Sequence, residues 1–344
     1  FVTTRWTGAT LFIFCHYQAN LVTLMSVLRH RSRVAIVKGT NHYETTKQAL
    51  GLVIDEVDVE PDDRVLIKPN CVSSKPPNTG VTTDSRVVEP IIEFLREKGV
   101  HDIVIGEGGN PGTKKTFRIT GLKDLAKRQG VELINLNKDK WEELPIPGSV
   151  AMNKVKIART VLECDRIINV PKLKIHHMAQ VTLSLKNLMG VVVDKRGQLM
   201  HHKPHEKIVV LASLFTPALN VVDGIVGAER DEVVGSPIES NVIIAGVDMV
   251  SVDAIGSAVM GLDPLKVSHI QQAAERGLGI SSLNYIDVLG DTLESVRRKF
   301  STEYSDEKLE SYGLSRPLSE EDITNMMSNF TERDPRVKNP YAKK

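Results

Sequence analysis

The chain has 344 residues and a mass of 38.0 kDa, the size of about two ordinary domains or one large one. A chain of this length buries a core without disulfides or structural metals, and 41% hydrophobic with 25% charged residues excludes wholesale disorder. Lys plus Arg is 44 against 43 for Asp plus Glu, so the balance of +1 gives no general field for nucleic acid or a membrane surface. No run of 18 apolar residues is available for a spanning helix. Cys15, Cys71 and Cys164 form no C-x-x-C pair. That argues against an iron–sulfur cluster within the chain and fits a reducing, cytoplasmic setting.

Residues 1–24 hold one short apolar run, Thr10 to Cys15, broken at once by His16, Gln18 and Asn20. They are expected to lie outside the fold, as upstream or fragment sequence, with Met25 just ahead of the first strand. Strands are then predicted at Arg33–Val37, Arg64–Ile67, Asp102–Ile105, Val131–Asn135, Ala151–Ile157, Arg166–Val170, Leu219–Val222 and Asn241–Ile244. Helices are predicted at Glu44–Ile54, Asp84–Lys98, Leu122–Gln129, Val181–Met189, Glu206–Phe215, Asp248–Met260 and Pro264–Arg276. Val87, Val88, Ile91, Ile92 and Leu95 make a buried stripe in the second of these, and Gly99 closes it. Alternation of this kind is an α/β fold, a mostly parallel or mixed sheet flanked by helices and built from βαβ units. It is expected over residues 25–295, with a division into two lobes near 140–165. Residues 296–344 read as a charged helical extension with a capping box at Ser319 and Asp322 and a mobile end marked by Pro335 and Pro340.

Several segments carry chemistry-bearing side chains. Lys68-Pro69-Asn70 follows a strand, at the rim where open α/β sheets hold ligands, although this tripeptide taken alone favours a solvated lysine beside a turn. Thr82-Thr83-Asp84 precedes a helix and offers either a simple cap or an anion-binding first turn. Gly106-Glu107-Gly108-Gly109 allows close backbone approach to a ligand, or a plain turn. The densest run, N-V-P-K-L-K-I-H-H-M-A-Q-V-T-L-S-L-K-N-L-M-G from Asn169, carries Lys172, Lys174, His176, His177 and Lys186. Spacing by two places Lys172, Lys174 and His176 on one side of an extended chain. Such a cluster needs anionic compensation unless it is a solvated face, and Thr182, Ser184 and Asn187 add hydrogen-bonding groups. The run His201-His202-Lys203-Pro204-His205 offers a candidate metal set of His202 and His205 with Asp223, but it matches no standard zinc spacing. Asp253, inside an apolar helical run, is expected either to pair with one of the cluster lysines or to face a site.

Together, I-K-P-N at 67–70, the Thr82/Thr83 turn, G-E-G-G at 106–109, V-P-K-L-K-I-H-H at 170–177, T-L-S-L-K-N-L-M-G at 182–190, V-D-G-I at 222–225 and V-D-A-I-G-S-A-V-M-G-L at 252–262 resemble the domain-of-unknown-function family DUF362. Many relatives carry an attached ferredoxin-like iron–sulfur domain, which this cysteine pattern does not supply, so electron transfer would need a separate ferredoxin-like partner. A shorter likeness to lactate-racemase-type proteins covers the Thr turn, its helix and the strand into the Gly-rich turn. It implies neither a nickel cofactor nor a racemase activity. The expected function is an enzyme with a basic, His-containing pocket for a small anionic substrate or cofactor. Lys68, Lys172, Lys174 and Lys186 would bind anionic oxygens, and Asn70, Thr83 and Asn187 would orient the ligand. His176 would be the general acid/base, with Glu107 or Asp223 its partner, and Lys186 an alternative nucleophile. The competing reading is a non-catalytic cofactor carrier or maturation protein, or a redox partner of a separate iron–sulfur protein.

Overall fold

A computed structural model describes residues 31–109, 112–193 and 203–303. Its strands are β1 (Ser32–Lys38), β2 (Val65–Pro69), β3 (Ile103–Glu107), β4 (Glu132–Asn135), β5 (Trp141–Pro145), β6 (Lys154–Ala158), β7 (Arg166–Val170), β8 (Lys172–His176), β9 (Gln180–Thr182), β10 (Leu219–Glu229), β11 (Ser236–Gly246) and β12 (Ile286–Gly290). Its α-helices are α1 (His42–Val53), α2 (Ser85–Glu97), α3 (Thr113–Ile119), α4 (Leu122–Gln129), α5 (Arg159–Glu163), α6 (Ser184–Asn187), α7 (Pro204–Leu214), α8 (Met249–Val259), α9 (Ser268–Glu275) and α10 (Leu293–Val296).

The main sheet runs β12-β1-β11-β10-β7-β2-β3-β4. Strands β7, β2, β3 and β4 are mutually parallel, and β11 is antiparallel to both β1 and β10. Both faces are covered. On one face Val65, Ile67, Ile103, Ile105 and Ile168 meet Leu50 of α1, Ile91 and Leu95 of α2 and Leu125 of α4. On the other, Leu66, Val104, Ile167 and Ile244 join Ile208 of α7, Ile255 of α8 and Ile270 of α9. Adjacent strand residues feed opposite cores, so these strands read as continuous apolar runs. The result is the α/β architecture expected from the sequence. Among the described residues, no helix is long and apolar enough to cross a membrane.

Topology defines where a ligand belongs. The chain leaves β2 for β3 and β4 on one side and returns to β7 on the other. The crevice outside the carboxyl ends of β2 and β7 is therefore a switch point. Pro171 interrupts the chain between β7 and β8, yet both pair with β10: Leu219 lies beside Ile168, and Asp223 beside Lys172. Strand β8 thus continues past the sheet edge and arches over that crevice.

Element boundaries differ from expectation in several places. The segment Val181–Met189 is not one helix. It is β9, hydrogen-bonded to β8, then the four-residue α6 and a 3-10 turn. A turn through Gln180, at φ 64°, folds β9 back on β8. The run Pro264–Arg276 breaks at Val267, where a 3-10 turn capped by Asp263 gives way to α9. Finally, β10 and β11 each extend to 11 residues, because their hairpin continues beyond the apolar stretch and absorbs an irregularity between Gly224 and Val226.

Candidate functional site

Strand geometry fulfils the spacing argument on β8. Leu173 and Ile175 enter the core, while Lys172, Lys174 and His176 project from the other side. This is not a solvated face, since both lysines are buried. Lys172 Nζ donates to Asp223 Oδ2 at 2.7 Å, and the Asp84 backbone N–H donates to the same oxygen at 2.9 Å. Lys174 Nζ donates to Asn70 Oδ1 at 3.0 Å, the Val81 carbonyl at 2.8 Å and the Glu232 carbonyl at 3.1 Å. Lys68 pairs with Glu107 and donates to the Pro69 carbonyl. A buried ammonium without such partners would cost several kcal/mol. Three lysines expected to bind a ligand's oxygens are instead held by protein acceptors, and burial pulls Lys174 down to about 7.

A second network positions the crevice wall. The Asn70 N–H donates to Thr83 Oγ1, which donates to the Val170 carbonyl, each at 2.9 Å. Asn70 Nδ2 donates to Asn187 Oδ1 at 2.8 Å, and Asn187 Nδ2 donates to Asn169 Oδ1 at 2.8 Å. Asn169 Nδ2 reaches Asn220 Oδ1 at 3.1 Å. These asparagine amides tie β2, α6, β7 and β10 together. Asn70, Thr83 and Asn187 meet as the sequence reading required, but they orient one another.

The crevice opens into a pocket whose walls include Lys186, His176, Thr182, Glu232, Met189 and the Gly108–Gly109 backbone. Among the described residues Lys186 has no hydrogen-bond or ion-pair partner, unlike the three lysines around it. Burial brings its amine down to about 8. Thr182 Oγ1 is also buried without a hydrogen-bond partner. His176 Nδ1 accepts the backbone N–H groups of Met178 and Ala179 at 3.1 and 3.2 Å. Those bonds assign the ring proton to Nε2. Burial, against the pull of Glu232, holds His176 well below the ordinary imidazole value. Its Nε2 faces Glu232 at 4.0 Å. Burial alone would raise Glu232, but His176 and the His177 hydrogen bond outweigh it and hold this carboxyl low. His177 Nδ1 lies 2.7 Å from Glu232 and its ring stacks on His176.

His176, His177 and Glu232 bring ligand atoms within 4.8 Å of one another, the one such group among the described residues. A cation there conflicts with the tautomer, because His176 Nδ1 is occupied and Nε2 carries hydrogen. The candidate metal set from the sequence is dispersed. His205 stacks on His269 with Nδ1 atoms 3.2 Å apart, and Asp223 is with Lys172. His202 lies outside the described residues.

Other side chains serve the scaffold. Thr82 Oγ1 donates to the Lys75 carbonyl, and Asp84 caps α2. Asp253 pairs with no lysine: it accepts the N–H groups of Ser184 at 2.6 Å and Leu185 at 2.9 Å, at the start of α6. The anticipated partners of His176 stand elsewhere, Glu107 on Lys68 and Asp223 on Lys172. Glu232 takes that place, and sequence reasoning missed it. Its only signal was an acidic pair, Asp231-Glu232, in a hairpin turn that β10 and β11 carry back over β8.

Comparison with known proteins finds the following similarities. The chain is 25% identical over 231 residues to the thylakoid-associated protein sll1697 of Synechocystis sp., covering 65% of this chain and 70% of that protein. Among solved structures, the lactate racemase apoprotein from Thermoanaerobacterium thermosaccharolyticum aligns with a TM-score of 0.40 at 13% identity. That alignment covers 72% of this chain and 57% of the racemase. The model of a domain of unknown function, DUF362, matches residues 65–258, from the start of β2 through α8 and including every pocket residue named above. The chain belongs to the DUF362 family.

Proposed function

We propose that this protein is an enzyme whose crevice binds a small substrate through an anionic or strongly polarised oxygen. The observation that carries this reading is the contrast among four lysines. Lys68, Lys172 and Lys174 are satisfied by protein acceptors, whereas Lys186 presents to the pocket an amine with no partner among the described residues. Thr182 Oγ1 and His176 Nε2–H supply neutral donors beside it. Convergent donors fixed before the ligand arrives are the arrangement that stabilises developing negative charge on oxygen. His176, proposed from sequence as an acid/base, is better suited to donate a hydrogen bond from Nε2 while remaining neutral. Lys186, with an amine near 8, is a group able to gain or lose a proton close to neutral pH, and unlike Lys174 it is not held by protein acceptors.

Calorimetry with inorganic phosphate, oxalate and pyruvate tests the proposal. Wild-type protein should bind at least one of them, Lys186→Met should weaken that binding at least tenfold, and exchange of the exposed Lys123 for Met should leave it unchanged. Equal affinity in wild type and Lys186→Met would overturn it.

A further inference from the structure

Resting on that reading, we infer that the ligand carries a carbonyl group and that Lys186 captures it as an imine. An ammonium placed only to bind an anion is ordinarily held in position by acceptors, as Lys68 is by Glu107 and the Pro69 carbonyl, and Lys174 by three oxygens. Lys186 sits on α6 with no such acceptor bonded to it among the described residues, so its nitrogen lone pair is free to attack once the proton leaves. The side chain enters beside Met189, and burial, helped by Lys68, disfavours its charged form against the pull of Glu232 and Glu107. An amine near 8 is neutral in about a tenth of molecules at pH 7, against about one in a few thousand for an ordinary lysine.

The remaining donors suit the oxygen of a carbonyl. As the Lys186 nitrogen forms a bond to the carbonyl carbon, the C=O π electrons move onto oxygen, where His176 Nε2–H and the Thr182 hydroxyl stabilise them. The nitrogen's proton then passes to that oxygen, giving a carbinolamine. One further proton from solvent releases the hydroxyl as water, and the nitrogen lone pair closes the protonated imine. No oxidant or reductant is required, and the protonated imine draws electrons from the adjacent carbon. The substrate class is thus a small aldehyde or ketone, and the reactions open to it are those that make or break a bond at that adjacent carbon.

The test is reductive trapping. Full-length protein is incubated with pyruvate, 2-oxoglutarate or dihydroxyacetone phosphate in the presence of sodium cyanoborohydride, and the modified lysine is located by peptide mass spectrometry. The expected result is one adduct per chain, on Lys186, formed at least tenfold faster than on exposed lysines such as Lys123. Thr182→Val should slow trapping at Lys186 several-fold without moving the adduct to other lysines. Lys186→Arg keeps the charge, so it should abolish the adduct while retaining calorimetric binding of the same probe. A probe that binds in a Lys186-dependent manner but yields no Lys186 adduct overturns the imine and leaves the anion pocket standing. Adducts spread evenly over surface lysines likewise overturn it. Absence of both binding and adduct with every probe removes the imine together with the reading on which it rests.

Discussion

Lys68 and Glu107 end adjacent parallel strands and neutralise one another at the base of the pocket, with essentially no solvent access. The pair fixes the carboxyl edges of β2 and β3 relative to each other. Breaking one side strands the other charge in a dry crevice, so Glu107→Ala should lose about 3–5 kcal/mol of stability. Replacing both, as Lys68→Met with Glu107→Leu, should recover most of that loss, because buried ion pairs gain little over apolar packing. Urea unfolding of the two variants checks this. A double variant no more stable than the single one would show that the pair does more than cancel itself.

Gly190 is the position that lets this pair exist. A methyl group there would fall on the Lys68 amine and on Glu107. Backbone φ is ordinary at this residue, so the requirement is space rather than conformation. Gly190→Ala should therefore cost about 1–3 kcal/mol by overpacking, in line with other crowded cores. Thermal unfolding measures the loss. The exposed Gly51, where an added methyl meets nothing within 4 Å, is the control and should be neutral or stabilising when changed to Ala.

The sheet was legible because each central strand is an unbroken apolar run between turn residues. Leu122–Gln129 and Arg166–Val170 match the structure to the residue. The extended spacing of Lys172, Lys174 and His176 placed the basic cluster on one side of a strand, as found. What stayed hidden was who meets whom. The run Val181–Met189 reads as a helix when taken alone, yet pairing of β9 with β8 decides the local structure at its start. Likewise, lysines at 68, 172 and 174 look alike in sequence. Only the fold brings Glu107, Asp223 and Asn70 to them from up to 104 residues away, and so reveals Lys186 as the one left over. Glu232 escaped notice because its role depends on a hairpin whose length no local pattern specifies.

Asp253 supplies a pH-dependent clamp on the helix that carries Lys186. Burial raises its carboxyl to about 7 despite two backbone hydrogen bonds. The folded state therefore binds a proton that the unfolded state, titrating near 3.9, releases. This contribution is fully present below about pH 4 and is lost as pH rises through about 7. Asp253→Asn, which cannot titrate, should show a flatter stability profile between about pH 4 and 7 than wild type. Parallel profiles in urea would sink this assignment. Asp253→Ala removes the cap altogether and should cost about 1–3 kcal/mol near pH 4, with a smaller loss toward pH 7.

Lys186 also predicts how binding responds to pH. An ammonium attracts an anionic ligand only while charged, and this amine titrates near 8 because of burial. Affinity for a non-carbonyl anion such as oxalate should be constant below about pH 7 and then fall, approaching tenfold per pH unit above about pH 9. Lys186→Arg holds its charge over the whole range, so whatever affinity it retains should stay flat. Trapping of pyruvate should run the opposite way between pH 6 and 8, rising with the neutral fraction of the amine. The opposed slopes separate the two roles of one nitrogen. If oxalate affinity and trapping rate rose together, the pH response would belong to another group facing the pocket, with Lys174, whose buried amine titrates near 7, the first to examine.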